Sequence, residues 1–330
     1  MQAAIASIFQ TMHPIAEAVV GRAAAMFLSP ASLLSVQAMG CALLIALIFT
    51  VSRRRRDRPL RLRVIRKALF PRRLIASRSG RADIKMFLFN ALAATSLFGW
   101  AIISAGSVYR GVGLMLTALF GSAPAAPIPH WLGMGIATIT LFLAFEFAYW
   151  LDHFLSHKIP LLWHFHKVHH SAESLSPLTN YRIHPVNSVI FINIVALVTG
   201  SAGAALTFLL GGEPGLLTIG GVNILLVAST WLLTHLLHTH LWIAFRGPAG
   251  RLFQSPAHHQ LHHSSAPAHH DCNFGASLAL FDWLFGTLII PPRKRPDFLF
   301  GVTGETPPVF AQAAGASPAA APALKRRTLS

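Results

Sequence analysis

The sequence predicts an all-α integral membrane protein, with about five transmembrane helices and a histidine-rich helical cap on the cytoplasmic side. Three observations predict it. Hydrophobic residues make up 53% of the 330-residue chain and charged residues 12%, with a mean hydropathy of +0.54. A soluble domain carries about 25% charged residues, so too few polar side chains exist here to cover a water-facing surface. Five apolar stretches reach about 20 residues, the helix length that crosses a hydrocarbon core. The 18 histidines gather beside the ends of those stretches.

The elements follow in order. Within residues 1–30, Ile5, Ile8, Phe9, Met12 and Ile15 suit a short interfacial helix. No basic start followed by a short apolar core precedes them, so a cleaved signal peptide is not expected. Residues 31–130 form an N-terminal transmembrane region with a basic cytoplasmic loop. Its spans are Ala31 to Val51 and Met86 to Val108. The apolar segment Gly111 to Phe120 is too short to cross alone and stays open between re-entrant and other roles. Residues 131–290 hold three further spans: Trp131 to Leu151, Ser188 to Leu210 and Gly215 to Thr234. The run Gly211-Gly212-Glu213-Pro214-Gly215 separates the last two as a hairpin break. Residues 291–330 turn basic and then Ala/Pro-rich, a composition that cannot bury a core and is expected to be disordered. No solenoid-like repeat is present.

Charge orients these spans. The formal net charge of +16 would raise nucleic acid as a partner, but the basic residues are concentrated. Arg53, Arg54, Arg55, Arg56, Arg58, Arg61, Arg63, Arg66, Lys67, Arg72 and Arg73 follow the first span directly. Such a run marks a cytoplasmic flank and suits anionic headgroups; no nucleic-acid partner is expected. Five spans then deliver every histidine cluster to that same side, whereas four or six would divide them. The Ala/Arg-rich composition points to a bacterial inner membrane. Cys41 lies in an apolar run and Cys272 in a polar one, so neither a disulfide framework nor a cysteine-based zinc site is expected.

The histidine spacing carries the chemistry. His153 and His157 are four apart and share a helical face. His166, His169 and His170 form an H-x-x-H-H pattern, and His259, His262 and His263 repeat it. His235, His238 and His240 close the fifth span. Neutral imidazole binds zinc, iron, copper and nickel, and two ions of four to six coordination take about eight to ten protein ligands. His153, His157, His166, His169, His170, His238, His259, His262 and His263 make a set of that size. His184, His235, His240, His258 and His270 are further candidates for the metals or for hydrogen bonding to a ligand. Asp152, Asp271, Asn273 and Asp282 are expected to orient ligands or cap helices. His13 and His130 are isolated and are assigned to the surface. A loose histidine-rich loop would show one irregular run; here four separate groups sit beside helix ends among Trp, Leu and Phe.

Taken together, these boxes resemble the fatty acid hydroxylase and sterol desaturase superfamily of membrane histidine-box di-iron oxygenases. The resemblance covers roughly Leu141 to Thr287. Asp152-His153-Phe154-Leu155-Ser156-His157 resembles the first box. His166-Lys167-Val168-His169-His170-Ser171, after Trp163 and before Tyr181-Arg182-Ile183-His184-Pro185, resembles the second. Ser255-Pro256-Ala257-His258-His259-Gln260-Leu261-His262-His263-Ser264 resembles the last, followed by Asp271-Cys272-Asn273-Phe274-Gly275 and Phe281-Asp282-Trp283-Leu284-Phe285-Gly286-Thr287. Two positions depart from the pattern: Asn187, where many members are acidic, and His240, where asparagine is common.

The resemblance implies that residues 131–290 are a catalytic domain holding two iron ions, with zinc as a substitute in purified material. It implies hydroxylation or desaturation of a lipid by O2, the substrate being a fatty acyl lipid, a sterol-like lipid or an aminolipid. No haem-binding His-Pro-Gly-Gly and no glycine-rich dinucleotide fingerprint occur, so a separate electron donor of ferredoxin or cytochrome type, with its reductase, is expected. The alternative is a metal-ion transporter or sensor with a histidine-rich cytoplasmic face. That reading needs liganding groups at mid-membrane, and only Glu146 qualifies. A zinc hydrolase would need H-E-x-x-H, which is absent.

Overall fold

The computed structural model describes residues 17, 21, 24–53, 61–91, 95–123 and 128–302. Most of the expected interfacial segment, Arg54, Arg55, Arg56 and Arg58 of the basic run, and the tail beyond Val302 lie outside them. In chain order, α1 is Val36–Ser52, α2 Leu62–Leu69, α3 Arg78–Phe89, α4 Ala105–Phe120, α5 His130–Lys158, α6 Pro160–His170 and α7 Pro185–Leu209. The two-stranded antiparallel hairpin β1 (Thr218–Ile219) and β2 (Val222–Asn223) precedes α8, Ile224–Leu232. Then come α9 Gly247–Leu252, α10 Pro256–His262 and α11 Leu280–Leu284.

Among the described residues, three helical stretches are long and apolar enough to cross a membrane: Gly99–Phe120, which joins a short 3-10 turn to α4, His130–Lys158 and Pro185–Leu209. At 1.5 Å per residue, α5 and α7 run about 43 and 37 Å, longer than a hydrocarbon core of roughly 30 Å. The shorter apolar helices Val36–Ser52 and Ile224–Leu236 fall below the usual spanning length.

Two expected spans differ in the structure. The stretch Met86 to Val108 is not one helix, because Ile102 to Ser104 are extended and Ser104 starts α4 by accepting a hydrogen bond from Ser107 N. The segment Gly111 to Phe120, left open on the sequence, is therefore the far half of α4. The stretch Gly215 to Thr234 begins with the β-hairpin instead of helix. Gly220 and Gly221 both take positive φ, +58° and +77°, as a tight two-residue hairpin turn requires. Asn223 then caps α8 by accepting from Leu225 N.

The chain folds as two compact units. The first comprises Met1–Leu60, Ile103–Ala148 and Val195–Leu236. In it, Ala38, Ala42 and Ala46 are buried at four-residue spacing along α1, which packs on α8; small side chains let helix backbones approach closely. The same device joins α4 to α7, since a Cβ on Gly200 would sit 2.7 Å from the Ala105 carbonyl oxygen. Tyr109 donates to Glu213 Oε1 at 3.0 Å, and Asn223 Nδ2 to the Thr138 carbonyl at 2.8 Å.

The second unit comprises Arg61–Ile102, Tyr149–Ile194 and Leu237–Ser330. Its centre is polar. Arg182, fully buried, pairs with buried Asp83 at 2.9 Å and also donates to the Val168 and Ser171 carbonyls at the end of α6. Asn90 Nδ2 donates to the Tyr181 and Ile183 carbonyls, so α3 and its C-cap clamp the loop after α6. Asp282 is a second hub. It accepts from Trp150 Nε1, Gln254 Nε2, Thr287 Oγ1 and the Phe274 and Gly275 amides.

Candidate metal centre

Helical periodicity decides how each histidine is presented. Residues four apart share a face, while a residue three along is turned by about 100° from the fourth. His153 and His157 face one way from the last turns of α5, and His166 and His170 do the same from α6. The structure brings these four together with His262, their ligand nitrogens all within 4.8 Å of one another. A second group of His169, His238, His259 and His263 meets the same limit. Each H-x-x-H-H box is thus split: its i, i+4 pair enters one group and the remaining histidine enters the other. The two boxes do this in opposite senses. His170 and His263, one from each group, stack with ring centroids 4.5 Å apart.

Eight of the nine rings are buried and His157 is half-buried. Burial first, then neighbouring imidazoles, hold His169, His170, His238, His259 and His263 well below the usual 6.5. Burial does the same for His262 and lowers His166 to about 4. All seven are neutral near pH 7, the form that binds metal.

The ring nitrogens fit metal ions. His238 Nδ1 donates to Asn180 Oδ1 at 2.9 Å, which leaves Nε2 as a bare lone pair. That lone pair faces Nε2 of His259 at 2.9 Å, of His169 at 3.0 Å and of His263 at 3.2 Å. Nitrogens sharing one divalent ion at about 2.1 Å sit roughly 3.0–3.4 Å apart at octahedral or tetrahedral angles. In the first group, Nε2 of His153, His166 and His262 are buried with no hydrogen-bond partner, a costly state for a polar atom. His157 and His170 bring their Nε2 atoms to 3.1 Å.

Residues 138–287 match the family model for fatty acid hydroxylase. That region of the chain is a fatty acid hydroxylase domain by this match. The chain is 31% identical over 161 residues to the ornithine lipid hydroxylase OlsE of Rhizobium tropici, covering 48% of this chain and 44% of that one. It is 26% identical over 165 residues to an alkylglycerol monooxygenase of Xenopus tropicalis, and 25% identical to that of Homo sapiens, covering 49% of this chain and 32% of each relative. The chain therefore matches less than half the length of these relatives. No solved structure matches it.

Around the nine histidines, this fatty acid hydroxylase domain supplies acceptors that fix ring orientation. His153 Nδ1 donates to the Phe274 carbonyl at 2.8 Å, His262 Nδ1 to the Cys272 carbonyl at 2.7 Å, and His166 Nδ1 to Asn187 Oδ1 at 2.9 Å. In each case Nε2 is left for a metal, the usual arrangement of metal-binding histidine. Asn187, noted on the sequence only as a departure, keeps this role with an amide oxygen. Asn180 carried no signal, because its partner is 58 residues away.

The remaining candidates are placed elsewhere. His240 Nε2 donates to the Ala68 carbonyl at 2.7 Å. His258 Nδ1 pairs with Ser255 in the capping box of α10. His184 Nδ1 accepts from Val186 N, and its ring lies 4.9 Å from Phe165. His235 is buried within the first unit, and His270 is exposed. Asp271 takes the left-handed region (φ +57°) and accepts from Lys158 Nζ at 2.6 Å, with His157 Nδ1 at 3.6 Å. Asn273, also left-handed, donates to the His258 and Ile289 carbonyls and ties the loop after α10. Asp282 fixes the Phe274 amide and through that residue the carbonyl that holds His153.

Two cavities reach these rings. One of about 320 Å³ is lined by His157, His170, His262 and His263 with polar Ser264 and Asp271. The other, about 110 Å³, touches His153, His166, His169 and His238 and is bordered by Tyr149, Asp152, Ile183 and Phe191.

Proposed function

We propose that this protein is a membrane-bound non-haem di-iron oxygenase that hydroxylates or desaturates a lipid with O2 and electrons from a separate donor. One observation carries the reading: nine imidazoles from distant stretches of chain converge as two adjacent groups of neutral nitrogen ligands. His153, His157, His166, His170 and His262 would hold one iron, and His169, His238, His259 and His263 the other. When bound, the irons supply the O2-dependent oxidation of an unactivated C–H bond. The protein's own residues hold the rings, exclude water and steer the carbon. An all-histidine set suits this, because carboxylate ligands would draw in more water. The smaller cavity, with Tyr149, Ile183 and Phe191, suits the apolar substrate. The polar one suits traffic with the aqueous phase and the donor.

The relatives' names, ornithine lipid hydroxylase and alkylglycerol monooxygenase, support a lipid substrate and favour hydroxylation. All nine histidines lie in one compact unit, which supports their meeting on one side of the bilayer. The arginines after α1 favour the cytoplasmic side, and composition favours a bacterial inner membrane. Metal analysis of anaerobically prepared protein is expected to give about two irons per chain, with zinc as the alternative occupant. Mass spectrometry of lipids from cells with and without the protein is expected to show an O2-dependent +16 or −2 mass change. His169→Ala and His262→Ala are each expected to abolish that change and to lower the metal content toward one, with membrane insertion kept. Full activity in both variants would refute the site.

A further inference from the structure

The smaller cavity contains a carboxylate that the metal groups do not use. Asp152 is 5% exposed, and its Oδ1 has no hydrogen-bond partner. No ion pair of Asp152 occurs among the described residues. It lines the cavity beside His153, His166, His169 and His238. Two of the cavity's other side-chain acceptors are engaged, Asn187 Oδ1 by His166 and Asn180 Oδ1 by His238. Asn180 also donates one amide hydrogen to the Pro177 carbonyl. A buried polar atom left without a partner is costly; such a cost persists where a ligand completes the pairing.

We infer that Asp152 is a substrate-recognition residue: it accepts a hydrogen bond from a hydroxyl or protonated amine carried close to the carbon that is oxidised. The proposal rests on the oxygenase reading and narrows its substrate. A bare mid-chain methylene offers nothing to Asp152. A lipid bearing a donor at its glycerol, sterol or amino head satisfies it.

The test measures equilibrium binding to the full-length, metal-loaded protein in nanodiscs. The probes are 1-O-hexadecylglycerol, its di-O-methyl ether and its 3-amino-3-deoxy analogue. The wild-type protein is expected to bind the first and third about ten-fold more tightly than the ether, roughly the worth of one buried hydrogen bond. Comparing the diol with the amine identifies which donor is preferred. In Asp152→Leu the preference is expected to vanish, and in Asp152→Asn to survive in part. Metal content in both variants is monitored and is expected to stay at two per chain. Equal wild-type binding of the diol and its ether, or an unchanged preference in Asp152→Leu, would overturn the inference. Either outcome with two irons and O2-dependent lipid oxidation intact would leave the oxygenase reading standing. Absence of iron and of oxidation would remove that reading instead.

Discussion

A histidine becomes a defined ligand only when its second nitrogen is occupied. His166, His238, His153 and His262 each donate Nδ1–H to a fixed oxygen, which sets the tautomer and aims Nε2 into the site. Asn187 shows the consequence most simply, since one amide oxygen holds one ring. Asn187→Leu is expected to weaken metal binding about 10–100-fold while the fold persists, measured by metal retention during titration with a chelator. Unchanged retention would show that α6 packing alone orients His166. The nine candidate histidines were legible in the chain because spacing encodes helical face. Their orienting partners were not, because Phe274 and Cys272 act through backbone carbonyls, which every residue possesses.

At the scale of elements, the ligands depend on α6 being held at its C-terminal end. Arg182 does this from inside the protein, pairing with Asp83 and capping the Val168 and Ser171 carbonyls. Both partners are about 1% exposed, so removing either leaves an unpaired buried charge. Arg182→Ala and Asp83→Ala are each expected to destabilise the second unit by about 3–5 kcal/mol. The double variant Arg182→Met, Asp83→Leu should cost less than the sum of the two, as read by chemical denaturation in detergent. Additive losses would mean that the two residues act separately. Arg182 stood in a recognisable motif, whereas Asp83 lies ahead of the family match and has no local pattern. Only the tertiary fold shows that α3 belongs with the histidines.

For the whole molecule, collecting so many buried imidazoles makes stability depend on pH. In the metal-free protein, burial keeps His166 neutral down to about 4 and holds the six other rings outside α5 well below 6.5. The unfolded chain takes up protons on these rings below about 6.5 and the folded chain does not, so the rings lower stability as pH drops through that value toward 4, opposed in part by Asp83 and Asp282, whose carboxyls burial raises. Melting of the metal-free protein is expected to be nearly constant from pH 8.5 to 7 and to move several degrees lower by pH 5. Iron should offset part of the loss by competing with protons for the same nitrogens. A melting temperature that is flat or rising on acidification would contradict the burial of these rings.

The chain by itself determined the helical class and the histidine pattern: apolar runs dictate helices when water is absent, and fixed offsets between histidines dictate which share a face. Those are local properties, readable within one or two turns. The tertiary structure decided how the nine rings divide into two groups, which oxygens hold them, and that Asp152 lies unpaired beside them. It also broke the expected spans at Ser104 and at the Gly220-Gly221 turn, where a cap and a positive φ outweighed hydrophobicity. These outcomes follow from contacts between residues far apart in sequence, whose free energies no local pattern records.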